Sequence, residues 1–226
     1  MKALVVYCHP YTNSFTAAVL GRVQEQLRDH EADVRVIDLY REEFDPRLCL
    51  DCWQSYEDTK INTQHIHSHS EALAWCDTLI FIYPTWWYGL PAMLKGWLDR
   101  VFVPGVSFHM PDAQNPNIRP ALHNITRLGV FTTCGASRGL TFFVGSPGKK
   151  TILRGLRLLC HPQVRTSFAA HYLMDSSTDQ SRAKHLGKVD RKLRRFLRPK
   201  RSDASQPSQT YGSMLGNGTK SAVGDA

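Results

Sequence analysis

Short runs of β-branched and aromatic residues alternate with segments of helical periodicity along this chain. The strand-like runs are residues 3–7, 34–39, 78–83, 128–132 and about 164–172. A connection long enough to hold a helix is what two parallel strands of one sheet require, so this alternation predicts an α/β fold. We expect a doubly wound, five-stranded parallel sheet with helices on both faces.

In the helical segments between these runs, cap residues mark where each helix starts, and apolar spacing marks the face that packs on the sheet. The first covers residues 14–30, with apolar side chains at four-residue spacing and Ser14 available as the cap. Another begins near Pro91, at a first-turn position that tolerates proline, and a later one covers residues 151–160. With a basic final helix, the pattern predicts five strands and five helices.

The positive net charge of +8 is concentrated in one stretch of the chain. Residues 179–201 hold ten of the 28 Lys and Arg residues and two of the 20 acidic ones, so the rest of the chain is balanced. The same stretch has an apolar stripe at helical spacing, which predicts a docked helix with a solvated cationic face. Alternatively, the cationic face binds an anionic partner, such as membrane lipid or nucleic acid, or contacts a membrane transporter. The stripe is formed by Leu186, Val189, Leu193, Phe196 and Leu197.

The first residues, the cysteines and the last residues of the chain predict its cellular location and its domain boundaries. The first apolar run stops at Cys8-His9-Pro10, well short of a secretory or membrane-spanning length, so we expect a soluble, cytoplasmic protein. Six scattered cysteines in a chain of 226 residues then favour reduced thiols. Residues 1–200 are predicted to form the domain, and the polar residues 201–226 a disordered tail.

Ligands of open parallel sheets lie beyond the carboxyl ends of the strands, where the winding direction reverses. The loop after the first strand, residues 9–16, is rich in hydroxyl and amide donors and meets the amino end of a helix, where free backbone N–H groups attract phosphate. Three adjacent aromatic residues, Trp86, Trp87 and Tyr88, follow the third strand and suit a large flat ring. Small residues at 132–137 leave backbone N–H groups exposed after the fourth.

Residues 83–102, YPTWWYGLPAMLKGWLDRVF, resemble the signature of the NAD(P)H:quinone oxidoreductases of flavodoxin-like fold. His9-Pro10, Ser14-Phe15 and Thr132-Thr133-x-Gly135 also resemble that family's loops, so the likeness covers residues 1–175. It implies the strand order 2-1-3-4-5 and a flavin, FAD or FMN, with NAD(P)H as co-substrate. It also implies a ping-pong transfer of hydride through flavin N5 to a quinone-like acceptor, and a homodimer. Bacterial relatives in this family include ancillary flavoproteins of potassium-efflux systems.

The resemblance also assigns residues to the site. Tyr88, Phe108 and Met110 would shape the acceptor pocket, and no catalytic acid or base is identified. Two positions depart from the family pattern: Cys134 stands where glycine is usual, and Leu140 where some members have a tyrosine that stabilises the reduced flavin. The residues implied to hold the cofactor are His9, Asn13, Ser14, Phe15, Thr16, Ala17, Pro84, Thr85, Trp86, Trp87, Tyr88, Thr132, Thr133, Cys134 and Gly135.

Two other functions fit parts of the sequence. Cys49, Cys52, His65 and His69 have the spacing of a two-Cys, two-His zinc finger, although Asn62 stands where such a finger has its core leucine. Surface thiols and histidines are the simpler interpretation, so we predict no metal and no nucleic acid. Within the flavodoxin-like fold, the alternative is an electron carrier or a regulatory flavoprotein bound to a transporter.

Overall fold

The computed structural model describes residues 1–199; the tail predicted over residues 201–226 lies outside the described residues. Five parallel strands form the main sheet in the order β2-β1-β3-β6-β7, which is 2-1-3-4-5 when these five alone are counted. The predicted fold class and strand order are therefore confirmed. The strands are β1 Lys2–Tyr7, β2 Asp33–Asp38, β3 Thr78–Thr85, β6 Arg127–Cys134 and β7 Arg165–His171, and a separate antiparallel ribbon pairs β4 Phe108–His109 with β5 Arg119–Pro120.

Within residues 1–199, seven α-helical segments lie between or after the strands: α1 Phe15–Asp29, α2 Leu50–Gln54, α3 His67–Trp75, α4 Ala92–Val101, α5 Arg138–Phe143, α6 Pro147–Lys150 and α7 Asp179–Leu197. The first agrees with its prediction, since the Ser14 hydroxyl accepts the Ala17 N–H at 3.1 Å and caps the helix. Pro91 is the N-cap of α4 and not its first helical residue. The short helices α2, α5 and α6 were not predicted.

The helix predicted over residues 151–160 is wrong in type. After α6 the chain forms a π-helical turn, Thr151–Gly155, and then a 3₁₀ turn, Leu156–Leu159. Ile152, Leu156 and Cys160 are still buried. Apolar spacing over two turns identifies the inward face, but it does not distinguish the three kinds of helix.

The core lies on both faces of the sheet, because alternate side chains of each strand point to opposite sides. Helices α1 and α7 cover one face with Val5, Phe131 and Leu193 among its buried residues, and α3 and α4 cover the other around Leu4 and Trp97. The predicted docking of the final helix is confirmed: its stripe is buried against β7 and α1, except for half-buried Leu186. Within residues 1–199, no helix is both long and apolar enough to cross a bilayer.

The cysteines correct one prediction. Cys49 and Cys52 are joined by a disulfide at the start of α2, whereas Cys8, Cys76, Cys134 and Cys160 are buried free thiols, as expected. His69 is buried with its Nδ1 accepting the Trp97 indole N–H at 3.2 Å. Thus two of the four zinc-finger positions are bonded to each other and a third packs in the core. The described residues contain no cluster of three or more His, Cys, Asp or Glu arranged to hold a metal.

Candidate functional site

A cavity of about 770 Å³ lies at the carboxyl ends of β1, β3, β6 and β7. These strands are neighbours in the sheet, so the segments that follow them meet along one edge. The edge includes the point between β1 and β3 where the winding direction reverses, which is where α/β sheets bind ligands. The lining residues are His9, Ser14, Phe15, Thr16, Pro84, Thr85, Trp86, Trp87, Tyr88, Thr133, Cys134, Gly135, Ala136, Leu140, Met174 and Asp175.

The segment between β1 and α1 is built to receive an anion. With Ser14 capping the helix, the N–H groups of Phe15 and Thr16 have no acceptor within the described chain. The Tyr11 N–H donates to His9 Nδ1 at 3.0 Å, which leaves the proton of a neutral imidazole on Nε2. Burial lowers the pKa of His9, so this neutral form is favoured. The segment therefore offers N–H donors and no side-chain cation.

Two hydroxyl contacts hold the segments together. The hydroxyls of Thr16 and Thr133 lie 3.3 Å apart in the interior and link α1 to β6. Those of Thr85 and Thr132 lie 2.9 Å apart and link the ends of β3 and β6. Because these contacts join residues far apart in the chain, the cavity walls are fixed by the sheet and do not depend on the loops alone.

The aromatic residues form a tight turn at the end of β3. The Gly89 N–H donates to the Trp86 carbonyl at 2.9 Å, and the two residues between them have positive φ: 49° at Trp87 and 62° at Tyr88. Non-glycine residues rarely adopt this conformation, and it costs about 1 kcal/mol or more for each. Both residues line the cavity, and the Trp87 side chain is 94% exposed at its rim.

Pro84 belongs to β3 and not to the loop after it, and β3 is a central strand that usually excludes proline. The Ile82 carbonyl accepts the Cys8 N–H, so Ile82 points its backbone groups toward β1, and Pro84 two residues later points the same way. Its neighbour β1 has ended at Tyr7, opposite Ile82. A missing N–H therefore breaks no bond of the sheet, and the proline ring stays at the cavity.

The far wall comes from β6 and from the segment after β7. Cys134 is buried, with Sγ 3.6 Å from the Thr141 hydroxyl. A Cβ added at Gly135 would lie 2.7 Å from Asp175 Oδ2, so the carboxylate rests on the backbone at a position that favours glycine. Leu140 places an aliphatic side chain at the cavity where the resembling family has a phenol in some members.

Behind the cavity, Phe15 packs on a pair of buried histidines. Its ring centroid lies 5.3 Å from that of His171 and 5.9 Å from that of His185. Burial lowers the pKa of both imidazoles, to about 4 for His185, and the neighbouring His171 and Lys188 add to the effect on His185. Neutral histidines are thus part of the support of this wall.

Twelve of the fifteen residues predicted to hold a cofactor line this cavity, and three do not. Asn13 does not reach it, the Ala17 N–H is bonded to the Ser14 cap, and the Thr132 hydroxyl is taken by Thr85. Of the predicted acceptor-pocket residues, Tyr88 lines the cavity. Phe108, which pairs with Pro120 in the β4–β5 ribbon, and Met110 lie outside this lining, and their place in an acceptor pocket stays a prediction.

The predictions missed Met174 and Asp175; they included Ala136 only as part of the loop at residues 132–137, and they noted Leu140 only as a departure from a family pattern. Met174 and Asp175 follow β7, and the rule that directed attention to the ends of the first, third and fourth strands applies equally to the fifth. The Ser137 cap of α5, whose hydroxyl accepts the Leu140 N–H at 3.2 Å, was a readable signal for the missed helix.

Comparison with known proteins agrees with this architecture. The family described as flavodoxin-like fold matches residues 1–193. A ribosyldihydronicotinamide dehydrogenase-like protein traD of Penicillium crustosum is 35% identical over 46% of this chain and 45% of its own. The NAD(P)H oxidoreductase YcaK of Escherichia coli is 32% identical over 47% of this chain and 55% of its own length. The rat (Rattus norvegicus) ribosyldihydronicotinamide dehydrogenase [quinone] is 30% identical over 49% of this chain and 54% of its own length. The matched region thus spans about half the length of these relatives.

Solved structures match over most of the chain. Smu.1420 of Streptococcus mutans is 30% identical with a TM-score of 0.72, covering 86% of this chain and all of that one. The NAD(P)H:quinone oxidoreductase of Methanothermobacter marburgensis, at 22% identity, has a TM-score of 0.73 over 88% and 98%. An FMN-dependent NADH-azoreductase of Bacillus anthracis, solved with FMN, is 14% identical with a TM-score of 0.68 over 88% and 100%. The last two show the shared fold.

Proposed function

Because this chain belongs to the flavodoxin-like fold family, we propose that it is a flavin-dependent oxidoreductase passing two electrons from NAD(P)H to a quinone or similar acceptor. The observation that carries the proposal is the cavity of about 770 Å³ at the sheet edge, where a donor-rich helix start, an aromatic turn and a small-residue strand end meet. Such a cavity has the parts needed for a flat ring with a phosphate tail. The names of the matched relatives are consistent with this activity.

The residues present fit both the phosphate and the ring of a flavin. The N–H groups of Phe15 and Thr16, unbonded within the described chain, would receive the phosphate. Trp86, Trp87 and Tyr88 supply apolar surface for the ring, and Cys134 and Gly135 would lie along its edge. Asp175 is the one carboxylate of the lining, and it would accept hydrogen bonds from hydroxyl or N–H groups of the ligand rather than face the phosphate.

A bound flavin would supply the redox chemistry, which is the transfer of hydride from NAD(P)H to the acceptor in the two half-reactions of a ping-pong cycle. The protein's own part is to bind and orient. The aromatic turn would lie against the ring, and Leu140 offers no hydroxyl to support the reduced ring. Backbone N–H groups near Gly135, or the Tyr88 hydroxyl, would be the donors for that charge.

We propose that a second copy of the chain covers the cavity rim. Trp87, Phe142 and Phe143 are 94%, 81% and 87% exposed on the turn after β3 and on α5, both of which contribute to the cavity wall. Large apolar side chains grouped at a cavity rim are typical of an interface. Sedimentation velocity of wild type and of Phe142→Ser/Phe143→Ser tests this: a dimer should become a monomer. A wild-type monomer at micromolar concentration would refute it.

Two further expectations about partners and location stay predictions. The outward face of α7 carries Lys184, Arg191 and Arg195, without an ion pair in residues 1–199, so contact with an anionic membrane or transporter is a prediction from charge alone. A cytoplasmic location stays a prediction as well.

The test of the proposed function uses the purified full chain. Its absorption spectrum should show a flavin, and mass spectrometry of the ligand released by heat should identify FMN or FAD. With that flavin, steady consumption of NADH or NADPH should require a simple quinone. A colourless protein that neither binds flavin nor oxidises either nucleotide would refute the proposal, and flavin binding without turnover would favour the electron-carrier alternative.

A further inference from the structure

The Cys49–Cys52 disulfide lies in the connection between β2 and α3 and takes no part in the cavity lining. Cys49 is exposed and Cys52 half-buried. The other four cysteines are buried, and burial raises the pKa of Cys8, Cys76 and Cys160 to about 12. Thiols with so high a pKa are poor nucleophiles at neutral pH, and Cys134 lines the cavity, so the accessible thiol chemistry outside the cavity resides in the exposed pair.

This disulfide does little to hold the fold together. It joins residues three positions apart in one short segment, and closing so small a loop removes little entropy from the unfolded chain. Other contacts fix the segment: the Asn62 side-chain amide donates to the Pro104 carbonyl at 2.9 Å, and the Arg100 guanidinium donates to the Asp45 carbonyl. A crosslink that the fold does not need, placed at the surface, suits reversible chemistry better than a structural role.

The surroundings of the pair favour its reduction. After reduction, Cys49 Sγ can keep the hydrogen bond that it accepts from the Cys52 N–H at 3.1 Å. Cys52 lines a small cavity together with His65 and Arg100, so a cation shares this cavity with the residue whose sulfur would carry negative charge. Next to the pair, Leu50 and Trp53 are 69% and 65% exposed, which leaves apolar surface for an incoming partner.

We propose that Cys49 and Cys52 form a second redox site, separate from the cavity, which exchanges electrons with thiol compounds by thiol–disulfide exchange. The thiolate of a thiol RSH attacks Cys49 Sγ, the bond between the two cysteine sulfurs breaks, and Cys52 leaves as a thiolate that takes a proton from water. A second RSH, reacting as its thiolate, attacks the mixed disulfide, and Cys49 is released as a thiol. The disulfide gains two electrons and two protons, and two RSH become RSSR. Glutathione disulfide reverses the sequence.

The test titrates the native full chain, as purified, with buffers of reduced and oxidised glutathione. Each sample is quenched with acid, its thiols are alkylated, and the peptide carrying both cysteines is weighed. Cys49 and Cys52 should change together from unalkylated to doubly alkylated at millimolar glutathione and revert in oxidised buffer, whereas the four buried cysteines should be alkylated in every sample and never carry glutathione. In Cys52→Ser, Cys49 should form a stable mixed disulfide with glutathione.

Controls separate this site from the proposed activity. Cys160→Ser should leave the titration unchanged, and Cys49→Ser should leave quinone reduction within about twofold of wild type, because neither residue lines the cavity. A pair that stays oxidised in millimolar dithiothreitol until the protein is denatured, or that is already reduced in oxidised glutathione, would overturn the proposal. The readout is a mass, so absence of quinone reductase activity does not affect it.

Discussion

The cavity and the Cys49–Cys52 segment are organised in opposite ways. The cavity draws its walls from four parts of the chain, ordered by hydroxyl contacts such as that between Thr16 and Thr133, and it includes strained backbone at Trp87 and Tyr88. The disulfide pair is formed within four residues. A site assembled from distant segments depends on the packing of the whole sheet, whereas a local pair depends on how one segment packs against the rest of the protein.

We expect the largest effect on stability where the segment that carries Cys49 and Cys52 packs against α4. A Cβ at Gly96 on α4 would lie 2.2 Å from the Pro46 carbonyl oxygen, which is backbone and cannot turn aside. Gly96→Ala should therefore lower the free energy of unfolding by about 3 kcal/mol. Gly21→Ala on the open side of α1 is the control and should raise it by up to about 1 kcal/mol. Urea unfolding of both variants measures this, and equal stabilities would show that the segment is loosely held.

The cavity can be tested without disturbing the fold through Ser14. Aspartate caps helices as well as serine does, so Ser14→Asp should keep the stability of α1 while placing a negative charge beside the proposed phosphate site. We expect the flavin dissociation constant to rise about thirtyfold, or about 2 kcal/mol, measured by fluorescence titration. Ser14→Ala removes the cap without adding a charge, so it should lower the free energy of unfolding by about 1 kcal/mol. Unchanged flavin affinity in Ser14→Asp would place the phosphate elsewhere.

The histidines behind Phe15 make the cavity side sensitive to acid. The pKa of His185 is lowered to about 4 in the folded protein, from 6.5, so the unfolded chain binds the proton first as the pH falls. Its contribution to stability is complete above about pH 6.5 and is lost toward pH 4. Between pH 7 and pH 5, wild type should lose about 2 kcal/mol more unfolding free energy than His185→Gln, measured by urea denaturation. Parallel losses in the two proteins would contradict this.

The smallest effect concerns the aromatic turn, which rests on α6. A Cβ at Gly148 would lie 3.1 Å from the Gly89 carbonyl carbon, so Gly148→Ala should displace the turn by a few tenths of an ångström at a cost of about 1 kcal/mol. The Michaelis constant for the quinone should rise severalfold while the Cys49–Cys52 titration stays unchanged. Gly139→Ala, with open space at its Cβ, is the matched control on α5. An effect on the disulfide would show that the two regions are coupled.

Much of the site was predictable because it follows from general rules of the fold. Strand ends in a parallel sheet collect ligands at one edge, and a hydroxyl before an apolar helix marks its start, so Ser14, Trp86 and Gly135 could be chosen from the sequence. Phe108 was predicted on a weaker basis, by position in a family, and the structure puts it in the β4–β5 ribbon. Long loops have no period that would fix where their side chains point.

The sequence by itself determined the five strands, their class and the inward faces of α1, α4 and α7, because burial imposes a period that can be read along the chain. Only the tertiary structure decided which donors remain free, such as the Phe15 and Thr16 N–H groups, and which are used, such as the Thr132 hydroxyl. It also decided that Cys49 and Cys52 are bonded and that Asp175 rests on Gly135. These depend on distances between atoms that spacing along the chain does not encode.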